Sequence, residues 1–404
     1  MKKKRIVFYT DCPFVAGSEK GILNIIKYKK LTKQYDIVLI YRYSERYHNE
    51  LLNLKLNIKT DFVKLINFDN YIINFNYNKP KDVFKRIIIL ITNIILLSKI
   101  YNFFIICNKL YKYKPDIIHI NNGGFPGADS CNLLVLIVKK ICKMSIYTIN
   151  NFPSVSKWNF FHKYYIKKIS KNIDVITTGS KKNAKYLKKL FDTEIINISN
   201  TVSPNKINTL TNPGINRYIK DNSYKIFISA GILTKRKGFL ELLNSFNKIY
   251  KSGEKKFYLF IFGDGELRED IRSFILNNGL KNNIFLMGFT KNLSIEIIRS
   301  DYFILNSLYN EDMPYVLVES LYLGKPIITT RIAGNDEIVF NNLNGYISNP
   351  YDEKALTKNI NKLINLDSKK IRKYQEYSHF IYEKNFKYEK IMDKYLNIYG
   401  KLSN

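Results

Sequence analysis

Tyr302–Thr330 reads YFILNSLYNEDMPYVLVESLYLGKPIITT, and the rhythm of this stretch decides the fold. Two short β-branched or aromatic runs, Tyr302–Leu305 and Ile327–Thr330, stand on either side of a longer apolar segment. Pro314 suits the first position of a helix, where its missing N–H costs nothing, and Gly324 followed by Lys325-Pro326 marks the stop. The spacing predicts a helix over about Pro314–Leu323 between two strands, one unit of an α/β sheet.

The same stretch carries candidate chemistry. Glu311 and Glu319 are separated by seven residues within NEDMPYVLVES. Tyr315, Val316, Leu317, Val318, Leu321, Tyr322 and Leu323 leave the helix almost no polar face, so it reads as enclosed, with Glu319 as its only charge. A buried carboxylate needs partners. Sugar hydroxyls would donate to it, and N–H groups at the helix start, at the positive end of its dipole, suit a diphosphate. Together these features outline a nucleotide-sugar site; the segment by itself also fits a solvated Glu on a surface helix.

Working outward, the alternation of strand-like runs and amphipathic segments repeats along the chain. Strands are expected at Arg5–Thr10, Asp36–Tyr41, Asp116–Ile120, Ser145–Ile149, Asp174–Thr178 and Ile195–Ser199, and then again at Lys225–Ala230, Tyr258–Phe262, Ile284–Met287, Tyr302–Leu305 and Ile327–Thr330. Between the two series lies a polar stretch, Pro204 to Asn222, with Pro213-Gly214 at its centre, which reads as an interdomain linker. The expected organisation is two doubly wound domains, residues 1–210 and 223–380, followed by a terminal segment 381–404. Ligand crevices in such sheets lie beyond the carboxyl ends of the strands, so a cleft between domains is the natural site.

Composition sets wider bounds. At 404 residues, 46% hydrophobic and 14% aromatic, the chain has material for two substantial cores and is not a disordered one. Cys12, Cys107, Cys131 and Cys142 show no close spacing, and His48, His119, His162 and His379 are dispersed, so neither a disulfide framework nor a metal centre is expected. A reducing cytoplasm fits this cysteine usage, and the apolar stretch behind the basic N-terminus is too short for a signal-peptide core.

The formal charge of +31, from 65 basic and 34 acidic side chains, draws the protein toward anionic surfaces without naming one, and an A/T-rich genome would leave the same excess of Lys, Ile, Asn and Tyr. No RNA-binding or helix-turn-helix signature supports nucleic acid as the partner. Phe84 to Cys107, FKRIIILITNIILLSKIYNFFIIC, is interrupted by Asn93, Lys99 and Asn102, which disfavours a bilayer span of about 20 apolar residues. Flanked by Lys81, Lys85 and Arg86 before it and Lys109, Lys112 and Lys114 after it, the segment reads either as a core helix or as one lying on an anionic membrane face.

Several loops follow predicted strands. Lys235, Arg236 and Lys237 sit consecutively in Gly231-Ile232-Leu233-Thr234-Lys235-Arg236-Lys237-Gly238, just ahead of a helix, a plausible phosphate clamp or a solvated turn. Gly263 and Gly265 in Gly263-Asp264-Gly265-Glu266 allow close backbone approach, and Gly288-Phe289 closes another strand where a nucleobase edge could be met. In the first half, the loops at Thr10-Asp11-Cys12-Pro13 with Gly17-Ser18-Glu19-Lys20, at Asn121-Asn122-Gly123-Gly124, and at Asn150-Asn151-Phe152-Pro153 hold groups suited to hydroxyl-rich ligands or to turns. His119 lies within an apolar strand and reads as a core histidine.

The order of these segments resembles glycosyltransferase family 4, retaining enzymes of the GT-B fold, of a bacterial surface-polysaccharide type. The likeness covers nearly the whole chain and is strongest over Lys225 to Gly345, where SAGILTKRKGFLELLNSF, IFGDGELRE, FLMGF, the Glu311/Glu319 stretch and NNLNGY succeed one another. The resemblance implies an α/β fold of two Rossmann-like domains facing a cleft, an acceptor-binding first domain, and a last helix crossing back to it. It also implies transfer of a sugar from a UDP- or GDP-linked donor to a glycan or lipid-linked acceptor, with no metal cofactor. By the same likeness Glu311 contacts the donor sugar, Lys237 holds the diphosphate with backbone groups of Met313, Pro314, Tyr315 and Val316, Glu319 grips the ribose, Gly288-Phe289 meets the base, and Gly17, Gly263 and Gly265 border the donor. The chain departs from the family at Ile232, where Arg is usual and Arg236 would have to supply the charge, and at Asn150, where His is common near the transferred sugar.

Overall fold

The computed structural model describes residues 3–15, 17–66, 97–155, 160–204 and 213–401. By internal contacts the chain divides into two compact units, one of Met1–Thr178, Ala184–Ile196 and Lys394–Asn404, the other of Gly179–Asn183 and Asn197–Asp393. Each is a parallel sheet between helices, as the alternating pattern predicts.

The N-terminal unit contains β1 (Arg5–Thr10), β2 (Asp36–Arg42), β3 (Lys59–Val63), β4 (Ile117–Asn122), β5 (Met144–Ile149), β6 (Val175–Thr178) and β7 (Glu194–Asn197). These pair in the order β3-β2-β1-β4-β5-β6-β7. The C-terminal unit contains β8 (Lys225–Ala230), β9 (Phe257–Phe262), β10 (Ile284–Gly288), β11 (Tyr302–Leu305), β12 (Ile327–Thr330) and β13 (Gly345–Ser348), in the order β10-β9-β8-β11-β12-β13. In both, the chain starts in the middle of the sheet, winds to one edge, and returns to wind to the other. The reversal falls between β1 and β4 in the first unit and between β8 and β11 in the second, the place at which open sheets of this kind bind ligands.

Helices cover both faces, so the central strands read as unbroken apolar runs; FYLFIF of β9 is buried at every position. The chief cores form around Val7, Tyr9, Ile118, Ile120 and Tyr147 in the N-terminal unit and around Phe227, Phe246, Leu259 and Tyr302 in the other. His119 is buried between Tyr399 OH, 2.6 Å from Nδ1, and Thr148 Oγ1, 2.7 Å from Nε2, and burial pushes its pKa down to about 3. It is a neutral core histidine.

Sequence reading missed β3 and β13. Both are edge strands: β3 is KTDFV with its first two residues exposed, and β13 is GYIS, buried throughout but with only Tyr346 and Ile347 to give a strand-like run. The stretch read as a linker is also more structured than expected. Gly214–Tyr218 forms a 3₁₀ turn, Ile215 is fully buried in the C-terminal unit, and the Glu296 carboxylate accepts from the N–H groups of Gly214 and Ile215 at 2.8 and 3.1 Å. Residues 205–212 of that stretch, and 84–96 of the apolar segment, lie outside the described residues.

Candidate active site

In the C-terminal unit the loops after β8 and β11 meet at the reversal of the sheet, and hydrogen bonds zip them together. Leu308 N–H donates to Arg236 O at 2.7 Å, and the Asn306 side-chain amide donates to Gly238 O at 3.0 Å. Gly238 has φ +63°, and a Cβ there would collide with Asn306 and Leu308, so only glycine admits this approach. The Lys235–Lys237 run forms one 3₁₀ turn that ends at Gly238.

The zipped loops bring three predicted residues to one point. Glu311 Oε1 accepts from Arg236 Nη1 at 2.5 Å, from Lys237 Nζ at 2.5 Å and from Ser307 Oγ at 3.1 Å. Arg236 Nη1 also reaches Asn310 O at 3.1 Å. Burial works to raise the Glu311 carboxyl, but the Lys237 ammonium and Arg236 guanidinium outweigh it and hold the acid below its ordinary range. Two cations therefore share one carboxylate oxygen, one positive charge more than Glu311 itself neutralises.

Beyond Glu311 the chain is pinned. Asp312 is buried and accepts from Gly179 N at 2.9 Å, from Ser180 N at 3.2 Å and from Ser180 Oγ, while its own carbonyl accepts from Gly334 N at 2.9 Å. A Cβ at Gly334 would strike Ser180 Cβ, and one at Gly179 would lie 3.0 Å from Met313 Cβ, so three backbone segments meet here without room for side chains. Asp312 was not singled out by the sequence reading. Its partners are distant in the chain, and an acid beside an acid in a loop carries no periodic signal.

The helix that follows runs Tyr315–Tyr322, with Pro314 at the N-cap rather than in the first turn and Leu323 and Gly324 (φ +65°) ending it. Pro314 O accepts from the N–H groups of Leu317 and Val318, so the positive end of the helix dipole lies at Tyr315 and Val316. Met313 is buried, and its carbonyl accepts from the Asn200 side-chain amide at 2.5 Å. Glu319 is buried as predicted, and Ser294 Oγ donates to its Oε1.

The remaining predicted positions in this unit sort by role. A Cβ at Gly263 (φ +140°) would collide with Gly231 O, and one at Gly265 (φ +155°) would lie 2.6 Å from Leu233 O. The freedom of these glycines thus serves loop-against-loop packing, where direct approach to a ligand was expected. Gly288 (φ +76°) passes its carbonyl to Gly263 N at 2.9 Å, and Phe289 beside it is exposed. Ile232 is exposed as well.

In the N-terminal unit the β1/β4 reversal holds a different cluster. Gly17 opens the helix Gly17–Ile26, and Glu19, two residues on, is fully buried. Its carboxyl accepts from Thr10 Oγ1 at 2.6 Å, from Asn121 Nδ2 at 2.9 Å and from Tyr47 OH. Burial raises its pKa to about 7, with those hydrogen bonds opposing. Beside it, burial also raises Asp11, against the pull of Arg42, whose Nη1 lies 3.0 Å away. Asn150 donates to Asn121 Oδ1 at 2.8 Å and Asn122 O at 2.9 Å, so it is tied through Asn121 to Glu19. Among the described residues no group of three or more His, Cys, Asp or Glu side chains could hold a metal ion.

Comparison with known proteins bears on the fold. Residues 215–379, which contain every C-terminal position above, match the family model described as glycosyl transferases group 1. An uncharacterized glycosyltransferase of Methanocaldococcus jannaschii is 27% identical over 282 residues, 62% of this chain and 68% of that protein. The crystal structure of a glycosyltransferase from Rickettsia africae superposes with a TM-score of 0.74 at 20% identity, over 100% of both chains. Anabaena HepE in complex with UDP-glucose does so with a TM-score of 0.75 at 16% identity, over 98% of this chain and 99% of that one. The fold is that of the GT-B glycosyltransferases, two Rossmann-like α/β domains, and the stretch similar to glycosyl transferases group 1 lies within the C-terminal unit.

Proposed function

We propose that this chain is a retaining glycosyltransferase that moves a sugar from a nucleoside-diphosphate donor, UDP- or GDP-linked, to a glycan or lipid-linked acceptor in the synthesis of cell-surface polysaccharide. The observation that carries the reading is the meeting of Lys237 and Arg236 on one oxygen of Glu311 at the β8/β11 reversal. Cleaving an anomeric bond pushes negative charge onto the leaving diphosphate, and cations and N–H groups aimed there stabilise the transition state more than the ground state. Lys237 and Arg236 supply the cations, and the start of the Tyr315–Tyr322 helix supplies the dipole. Glu311 holds donor-sugar hydroxyls while orienting both cations, Glu319 takes the ribose, and Gly288-Phe289 meets the base. Gly17 and Asn150 serve the transferred sugar from the N-terminal unit. The leaving phosphate accepts the acceptor's proton on the same face, which gives retention. The UDP-glucose held by the Anabaena structure favours a UDP-linked donor.

A second reading, a non-catalytic subunit that binds nucleotide-sugar, draws on Asn150, whose amide is engaged by Asn121 and Asn122. A thermal-shift screen of UDP-, GDP- and ADP-sugars tests both, since a ligand selective for the folded state raises its apparent stability. The transferase reading expects one donor class to raise Tm and to release nucleoside diphosphate faster with an acceptor present. Stabilisation without turnover on any trial acceptor would favour the subunit, and no stabilisation by any donor would remove both.

A further inference from the structure

At the carboxyl ends of β1, β4 and β5 a row of hydrogen bonds joins Glu19 to Asn150. Strand register sets its members side by side: Thr10 of β1 pairs with Asn121 of β4, and Asn122 pairs with Ile149, the residue before Asn150. Glu19 and Tyr47 enter the row from the helices Gly17–Ile26 and Glu45–Asn53. Thr10, Glu19, Tyr47, Asn121 and Asn122 are buried, whereas Asn150 at the end of the row is half-buried.

The row runs in one direction. Tyr47 OH and Thr10 Oγ1 donate to Glu19, and Asn121 Nδ2 donates to Glu19 Oε1 at 2.9 Å. The Ser18 carbonyl, 3.4 Å from the same nitrogen, can only accept, so both neighbours require the Asn121 amide to face this way. Asn121 Oδ1 is thereby turned to Asn150, whose Nδ2 donates to it at 2.8 Å and to Asn122 O at 2.9 Å. A flipped Asn150 would set its oxygen against the Asn122 carbonyl. Both N–H bonds of the Asn150 amide are thus spent within the row, and Oδ1 is the atom it can offer a ligand.

We infer that Glu19 is a positioning residue for sugar transfer: through Asn121 it holds Asn150 with Oδ1 free to accept from a hydroxyl of the transferred sugar. The inference rests on the transferase reading, in which Asn150 serves that sugar. Without an acceptor at position 19, Asn121 can turn, and Asn150 loses the partner that orients it.

The test follows release of nucleoside diphosphate to water by the full chain, with UDP-glucose, UDP-galactose, UDP-N-acetylglucosamine and GDP-mannose as donors. On the fastest donor, Asn150→Ala and Glu19→Met should each lower kcat/KM about five- to tenfold. Added to Asn150→Ala, Glu19→Met should cost less than about twofold more, because its effect passes through the group already removed. Glu19→Gln keeps an oxygen toward Asn121 and should recover to within about threefold of the wild type. If Glu19→Met does not fold, Asn121→Ala cuts the same row and carries the same expectation. The inference alone is overturned if the wild type turns over a donor and the paired losses simply multiply, as they would for general loosening of the fold, or if cutting the row leaves kcat/KM unchanged. A wild type that releases nucleotide from none of the four donors overturns the transferase reading, and the inference with it.

Discussion

Each unit buries a carboxylate at the reversal point of its sheet, and the two have opposite proton affinities. Glu311 is held below its ordinary pKa by Lys237 and Arg236, whereas Glu19, met by two hydroxyls and an amide, is raised to about 7 by burial. Depth does not separate them, since both are almost wholly enclosed. The difference is the charge of the partners. Neutral donors compensate a buried acid only in part, and cations compensate it fully. The crevice in the C-terminal unit is thus built to hold fixed charge, and that in the N-terminal unit to hold a group poised between charged and neutral near physiological pH.

The largest expected effect removes the charge. Lys237→Ala should lower kcat/KM for sugar transfer by about 10²-fold or more, on the order of 3 kcal/mol, because a preorganised cation at the leaving group is lost. The Glu311 acid should also titrate higher in this variant, since the stronger of its two compensating charges is gone. Steady-state kinetics on a variant with native Tm checks the first part, and unchanged kinetics would take Lys237 out of the mechanism.

The other side of the contrast is tested by pH. For Glu19 the folded pKa lies above the ordinary 4.5, so its contribution to stability is fully present below about 4.5 and is lost as pH rises through about 7. Glu311 has the opposite sign: its depressed pKa contributes stability above the unfolded value that is lost as pH falls through the folded one. Glu19→Gln keeps the size of the side chain and removes the titration. It should be less stable than the wild type by about 1 kcal/mol at pH about 4.5, because the amide must donate to one of its neighbours, and more stable by about 2 kcal/mol at pH about 8, the two together making the linkage value of about 3 kcal/mol. Thermal melts across that range decide it, and a gap independent of pH would mean that Glu19 is already ionised when folded.

These two acids also mark how far the chain could be read unfolded. Strands such as FYLFIF of β9 announce themselves because both faces are buried, and the Glu311/Glu319 spacing stands out because an apolar helix tolerates few charges. Glu19 carried a signal that was passed over. It sits three, four and seven residues before Ile22, Leu23 and Ile26, all buried, so it lies on the inward face of its helix. Asp312 carried none, because its burial depends on Gly179, Ser180 and Gly334, which only the tertiary fold brings beside it. The two-sided burial of a strand is a local property of sequence; the meeting of loops at the end of a sheet is not.

Within the C-terminal cluster the two cations are unequal. The Lys237 side chain is 11% exposed and that of Arg236 26%, so solvent screens the second more. Arg236→Ala should therefore cost about tenfold in kcat/KM, less than the loss of Lys237. Equal losses would mean that the two act as one clamp.

Glu319 provides the finest comparison, because Ser294 meets it with a hydroxyl, as Thr10 and Tyr47 meet Glu19, yet it lies in the same unit as Glu311. Ser294 Oγ donates to Glu319 Oε1 from the neighbouring helix Leu293–Arg299. A bond of this kind orients a carboxylate without fixing its charge, and its net value is about 1 kcal/mol. If Glu319 grips the ribose, Ser294→Ala removes one of the bonds that orient it, and the donor KM should rise roughly three- to fivefold while kcat holds, since the ribose is bound alike in ground and transition states. Donor titration and initial rates separate the two parameters. A fall in kcat at constant KM would instead place Glu319 beside the reacting carbon and require its role to be exchanged with that of Glu311.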